Sequence, residues 1–209
     1  MLPAEIPLFP LPNVVLFPHV CLPLHIFEPR YRALLADALA GDRLIGMVLL
    51  RPGWEADYEG RPPVYAMGCA GLITHAEPVG DGRSNIVLQG LEKFRILDEQ
   101  PGGSYRRGII EPLLEPTETA DRALRQARHK LEALVAPVIE RAGADLHIPA
   151  SIPDHELINA LAQYLPLESV EKQALLERDG TLSRCMSLIE LLEMKVILQR
   201  ACTTRTFAH

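Results

Sequence analysis

Residues 44–50 read LIGMVLL, an unbroken apolar run of strand length, and this pattern predicts a strand buried on both faces. Around it the first half of the chain is β-rich. Segments 5–11 and 20–27 read as extended, and their prolines confine them to sheet edges or bulged positions. Segments 64–76 and 84–90 flank Asp81-Gly82, a hairpin signal, and two further strands are expected at 93–99 and about 104–114. One helix interrupts this series. It opens at Glu28-Pro29, buries Tyr31, Leu34, Leu35, Ala38 and Leu39 as a stripe, and stops at Gly41. Residues 52–63, PGWEADYEGRPP, read as a loop.

The period changes near residue 115, where Glu115-Pro116-Thr117 resembles a linker. From 119 to 142, Leu124, Ala127, Leu131, Leu134, Val135, Val138 and Ala142 recur at helical spacing. Pro137 is expected to kink or split that helix, because its ring crowds the Ala133 carbonyl. Further helices are expected from Pro153, with Ser151 and Asp154 resembling a capping box, over about 168–178, and from 181 to about 201. The last repeats apolar residues at Leu182, Cys185, Ile189, Leu192 and Val196. The pattern therefore gives an α+β chain, with a β-rich lobe at 1–115 and a helical lobe at 116–209.

A chain of 209 residues with 48% hydrophobic residues buries enough surface to fold without staples. The formal net charge of −6 argues against diffuse nucleic-acid binding. Only four lysines are present (93, 130, 172, 195), so the basic patches at Arg30/Arg32, Arg106/Arg107 and Arg122/Arg125/Arg128 are arginine-built. Arginine suits bidentate contacts to carboxylates and phosphates, although paired surface charges are the plainer reading. Cys21, Cys69, Cys185 and Cys202 lie far apart, as expected of thiols in a reducing cytoplasm. The apolar start lacks a basic segment and is broken by prolines, so neither a signal peptide nor a membrane anchor is expected.

A search for catalytic motifs returns little. No lysine follows a glycine, as a phosphate-binding loop requires. Gly82-Arg83-Ser84-Asn85-Ile86 lacks the second glycine of a nucleophile elbow. His155-Glu156-Leu157-Ile158-Asn159 places asparagine where a zinc helix needs its second histidine. His19, Cys21 and His25 could share a strand face, but no second pair of metal ligands lies nearby in sequence, so no cofactor or metal is expected. Trp54 and Tyr58 stand out as large aromatics on a loop, either a binding surface or a cap over the core.

Four stretches together resemble the N-terminal substrate-binding domain of Lon proteases. They are IPLFPLPNVVLFPHVCLPLHIFEPRYR at 6–32, LIGMVLL at 44–50, GRSNIVLQGLEKFRI at 82–96 and LINALAQYLPLESVEKQALLERDGTLSRCMSLIELLEM at 157–194. The resemblance implies a PUA-like β pseudo-barrel with one helix, followed by a helical bundle. It also implies a non-catalytic role in binding polypeptides, apart from the ATPase and Ser–Lys peptidase domains of those proteases. His19 departs from the family, in which glycine is common at that position, and the 52–63 loop is idiosyncratic.

On this reading the partners are unfolded or tagged polypeptides and a protease or chaperone, in the cytoplasm and away from membranes. The candidate binding residues are Phe9, Phe17, Phe27, Tyr31, Trp54 and Tyr58, with Phe9, Phe17 and Phe27 held by a proline-stiffened segment. Core packing is the competing reading for each phenylalanine. RNA binding is the alternative function, suggested by the PUA-like lobe and its arginines, and fold analogy is a weak warrant for it.

Overall fold

The computed structural model of the protein describes residues 2–58, 60–115, 122–141, 149 and 151–206. In chain order its elements are β1 (Glu5–Leu11), β2 (Cys21–Ile26), α1 (Pro29–Ala40), β3 (Leu44–Leu49), a single 3-10 turn (Trp54–Asp57), β4 (Met67–Gly80), β5 (Arg83–Gln100) and β6 (Arg106–Leu113). Helices α2 (Arg122–Arg141), α3 (Asp154–Tyr164), α4 (Ser169–Leu176) and α5 (Thr181–Thr206) follow. The fold is α+β.

The six strands run in the order β2-β5-β4-β3-β1-β6, and β6 returns to pair with β5. Five strands therefore close on themselves, while β2 hangs from the first half of β5. Strands β1 and β3 are parallel, with Leu8 opposite Gly46, and α1 supplies the crossover that parallel neighbours require. Leu2, Ile6, Leu8, Val48, Ala70, Phe94 and Ile110 fill the centre. Two glycines make this packing possible. A Cβ on Gly46 would come 2.9 Å from Phe94 Cζ, and one on Gly68 would come 2.4 Å from the Met47 carbonyl oxygen.

The sequence pattern divides 84–90 from 93–99, but the structure joins them into the single strand β5. Gly90 does not break the strand. Its missing Cβ admits the Phe17 carbonyl oxygen, which would lie 2.0 Å from a side chain there. Register shifts along β4–β5 and between Ile96 and Asp98 bend β5, so that its first half pairs with β2 and its second with β6.

One local expectation is corrected and another is narrowed. Gly41 follows α1 as expected, but its φ is −110°, and the left-handed residue after the helix is Arg43 at φ 60°. The Arg43 amide closes the helix end on the Ala38 carbonyl at 2.9 Å. Helix α2 runs through Pro137 without splitting. Its apolar stripe, with Leu124, Leu131 and Val135 buried, outweighs the one amide that proline removes. Helix α4 opens with a reciprocal capping box between Glu168 and Glu171.

The chain forms two compact units. One comprises Met1–Glu115 with Asn159–Glu177, and the other Pro116–Ile158 with Arg178–His209. The first thus joins the closed strands to most of α3 and all of α4, beyond what a single cut near 115 describes. In the second, α2 and α5 pack together, joined by an ion pair between Lys130 and Glu193 at 2.8 Å. No helix among the described residues is long and apolar enough to cross a membrane.

Candidate functional site

At the start of α1, within the first unit, a cation sits between aromatic rings. The Arg30 guanidinium carbon lies 4.7 Å from the Tyr31 ring centroid and 4.7 Å from that of Tyr58. Tyr31 in turn meets Phe9 at 4.2 Å between centroids, and Tyr58 meets Trp54 edge-on at 5.3 Å. Hydrogen bonds lock the stack. Arg30 Nε donates to Glu28 Oε2 at 2.9 Å and Nη1 to the Tyr58 carbonyl at 3.2 Å. The Tyr58 hydroxyl donates to Glu28 Oε1 at 2.9 Å, and the Tyr31 hydroxyl to the Pro10 carbonyl at 2.9 Å. Arg30 Nη2 also lies 2.9 Å from Glu28 Oε2, as an ion pair off hydrogen-bond geometry, and remains buried without a hydrogen-bond acceptor.

Four of the six candidate aromatics, Phe9, Tyr31, Tyr58 and Trp54, thus belong to one stack. Phe9 is buried at its inner end, Tyr31 is 4% exposed, and Tyr58 and Trp54 are half-buried at its outer end. Phe17 lies elsewhere and is fully buried. Phe27 is 58% exposed, outside the stack, with its ring 6.0 Å from His25. The tyrosine phenols bear the mark of this packing. Burial pushes Tyr31 well above its ordinary value, and burial with the hydrogen bond to Glu28 raises Tyr58.

Beside the stack opens a cleft of about 240 Å³, lined by Pro10, Arg30, Tyr31, the 60–61 loop and residues 103–106. Arg106 is clamped by Glu99 through Nε at 2.8 Å and Nη2 at 2.5 Å. Arg61 donates to the Gln100 carbonyl at 3.0 Å and the Gly102 carbonyl at 2.9 Å, and meets no carboxylate among the described residues. Tyr105 donates to Asp37 Oδ2 at 2.7 Å, and burial with that bond raises its phenol above the ordinary value.

A second hollow has a volume of about 420 Å³. Leu2, Leu44, Leu91, Leu113 and Leu114 line it, with Pro18 and His19 at one side. Leu114 is 81% exposed, the most exposed large apolar side chain among the described residues. Lys93, 2% exposed, pairs with Glu115 at 3.0 Å on its wall.

Strand β2 is a guarded edge. The Cys21 carbonyl accepts Gln163 Nε2 at 3.1 Å and the Tyr164 hydroxyl. Pro23, two residues on and on the same edge, has no N–H to offer an added strand. Three buried amides, missed by sequence reasoning, hold the helices to the strands. Asn159 Nδ2 donates to the Pro18 carbonyl at 3.0 Å, Gln163 Oε1 accepts the Phe17 amide at 3.0 Å, and Gln173 Nε2 donates to the Met67 carbonyl at 3.0 Å. Their signal was present in the sequence: polar residues at 159 and 163, four apart, on the apolar face of LINALAQYL. His25 Nδ1 lies 2.8 Å from Asn85 Oδ1, and no group of three potential metal ligands occurs among the described residues.

The model of the ATP-dependent protease La (LON) substrate-binding domain matches residues 5–194. The chain belongs to this family. Among its curated relatives, Lon protease 2 of Myxococcus xanthus is 29% identical over 200 residues, covering 93% of this chain and 24% of that protein. Lon protease of Escherichia coli K12 is 26% identical over 206 residues, covering 93% of this chain and 25% of that protein. This LON-domain chain therefore spans about a quarter of the length of the curated relatives it matches. A crystal structure of a Lon N-terminal domain protein from Xanthomonas campestris has the same fold, with a TM-score of 0.64 at 24% identity over 89% of this chain and 97% of that one. The N-terminal domain of Mycobacterium avium complex Lon protease aligns with a TM-score of 0.66 at 18% identity, over 90% of this chain and 98% of that one. His19 adopts a left-handed backbone, at φ 63°, a conformation that glycine takes without strain.

Proposed function

We propose that this chain is a protein-binding module that holds unfolded or tagged polypeptides and breaks no covalent bond in them. The observation that carries the reading is the match of residues 5–194 to a substrate-binding domain. The matched quarter of the curated relatives is the part that lends its role, and their ATPase and peptidase activities are not assigned to this chain. The leucine-lined hollow supports the reading, because it offers apolar surface next to the exposed Leu114. A partner protease or chaperone would receive what the module holds, in the cytoplasm.

The basic patches favour this over RNA binding. Within those patches Arg30, Arg106, Arg107 and Arg128 are each paired with a carboxylate, which reduces the charge they offer a phosphate backbone.

The test is binding of a reduced, alkylated and therefore permanently unfolded protein, followed by fluorescence anisotropy. Saturable binding that survives added salt, with no cleavage and no ATP hydrolysis, is the expected result. Leu114→Glu and Leu91→Glu should weaken it about tenfold, the effect of charging an apolar contact. Turnover of ATP or polypeptide, or no binding at all, would overturn the reading.

A further inference from the structure

The cleft beside the aromatic stack has an electrostatic character that the polypeptide-binding reading does not use. Three guanidiniums line it, from Arg30, Arg61 and Arg106, and among the described residues no carboxylate does. Glu28 neutralises Arg30 and Glu99 neutralises Arg106. Arg61 is different. Its two hydrogen bonds go to the neutral carbonyls of Gln100 and Gly102, so its positive charge is held in place and no carboxylate among the described residues cancels it. The remaining walls are Ser104, the rings of Tyr31 and Tyr105, and the glycines 60 and 103.

From this arrangement we infer that the cleft binds a carboxylate carried by a polypeptide, with Arg61 as its principal charge partner. The inference rests on the polypeptide-binding reading and names one chemical group that the bound chain must present. The volume of 240 Å³ sets the scale. A hollow of this size admits one residue and its carboxylate rather than a length of extended chain. Guanidinium–carboxylate pairing is directional, and Arg61 is already oriented by two backbone acceptors, so less freedom is lost when the anion arrives. The preformed Glu28–Arg30 and Glu99–Arg106 pairs hold their side of the cleft rigid.

Two carboxylate sources fit this chemistry, a chain terminus and an acidic side chain. The experiment separates them with a dansyl-labelled alanine–leucine hexapeptide in three forms: the free acid, the C-terminal amide, and the amide with one internal glutamate. With the full chain at low salt, the free acid should bind about tenfold tighter than the plain amide, the size of one charge-assisted contact. The glutamate amide matches the free acid if side chains are accepted, and matches the plain amide if only termini are. Arg61→Gln removes the charge. Ser104→Asp puts a competing carboxylate on the wall while keeping every arginine, and guards against a folding defect at position 61. Either variant should abolish the preference for the acid.

Equal affinity for all three peptides, or a preference that survives both variants, would overturn the inference. The reduced, alkylated protein keeps the two proposals apart. If it binds while acid and amide peptides bind alike, the carboxylate cleft is lost and the module reading stands. If it fails to bind while the acid peptide keeps its Arg61-dependent preference, the cleft stands and the module reading is lost.

Discussion

Phe17 and Gln163 lie 146 positions apart, and the buried amide of one donates to the side-chain oxygen of the other at 3.0 Å. The same glutamine reaches the Cys21 carbonyl with its nitrogen, so one side chain serves both ends of the segment that leads into β2. Gln163→Leu should therefore strand a buried N–H and weaken the anchoring of α3. A loss of about 1–3 kcal/mol is expected, chiefly from the buried Phe17 amide left without its acceptor. Urea unfolding would measure it, and a loss below 1 kcal/mol would show that the contact does not bear on stability.

Backbone geometry at the same place gives a second prediction. Gly90→Ala would drive its methyl to within 2.0 Å of the Phe17 carbonyl oxygen, which is main chain and cannot swing away. We expect a loss of more than about 3 kcal/mol, or a failure to accumulate folded protein. Gly53→Ala is the control for glycine removal in open space, since nothing lies within 4 Å there, although its φ of 90° adds backbone strain.

His19 supplies a third, read as a difference between two variants. Both His19→Gly and His19→Val remove the imidazole, so whatever the ring contributes cancels. Only valine must hold a β-branched side chain at φ 63°. The glycine variant should be more stable than the valine variant by about 1–2 kcal/mol in thermal or urea unfolding.

Arg30→Lys should be costly despite keeping the charge. An ammonium cannot span Glu28 and the Tyr58 carbonyl while lying flat between two rings. About 1–2 kcal/mol of stability is expected to go. The chain has one tryptophan, Trp54, whose ring rests on Tyr58, so its emission should shift to the red as the outer end of the stack loosens. Unchanged emission would show that Arg30 does not organise the loop.

The buried tyrosines predict the alkaline limb of the stability curve. Tyr31, Tyr58 and Tyr105 all hold their protons more tightly folded than unfolded, chiefly through burial. Above the ordinary phenol value of about 10 the unfolded chain ionises first and binds fewer protons, so stability falls as pH rises. Their contribution is complete below pH of about 10 and is lost above it. Lys172, lowered by desolvation, acts in the opposite sense and softens the fall. Unfolding between pH 8 and 11 should show a declining midpoint, with a shallower decline in Tyr31→Phe.

Much of this architecture was legible in one dimension. Alternation and apolar runs located the strands near 5–11, 44–49 and 106–113, because a pleated strand forces a two-residue period and full burial removes it. Apolar spacing located the helices for the same kind of reason, and Arg61 lay unremarked in the loop that carries Trp54 and Tyr58. Pattern could not say that 84–90 and 93–99 are one strand, because the Phe17 carbonyl that explains Gly90 comes from a distant segment.

The site divides along the same line. Local sequence was enough to single out Trp54 and Tyr58, since large aromatics in a glycine- and proline-rich loop are conspicuous where they stand. That Phe9, Tyr31, Tyr58 and Trp54 join around Arg30, while Phe17 sinks into the core and Phe27 stays outside, was decided only by folding. Periodicity reports which face of an element is apolar. Which distant residues meet across that face depends on how the closed strands bring α1, the 52–61 loop and the β5–β6 turn together, and no local pattern encodes that meeting.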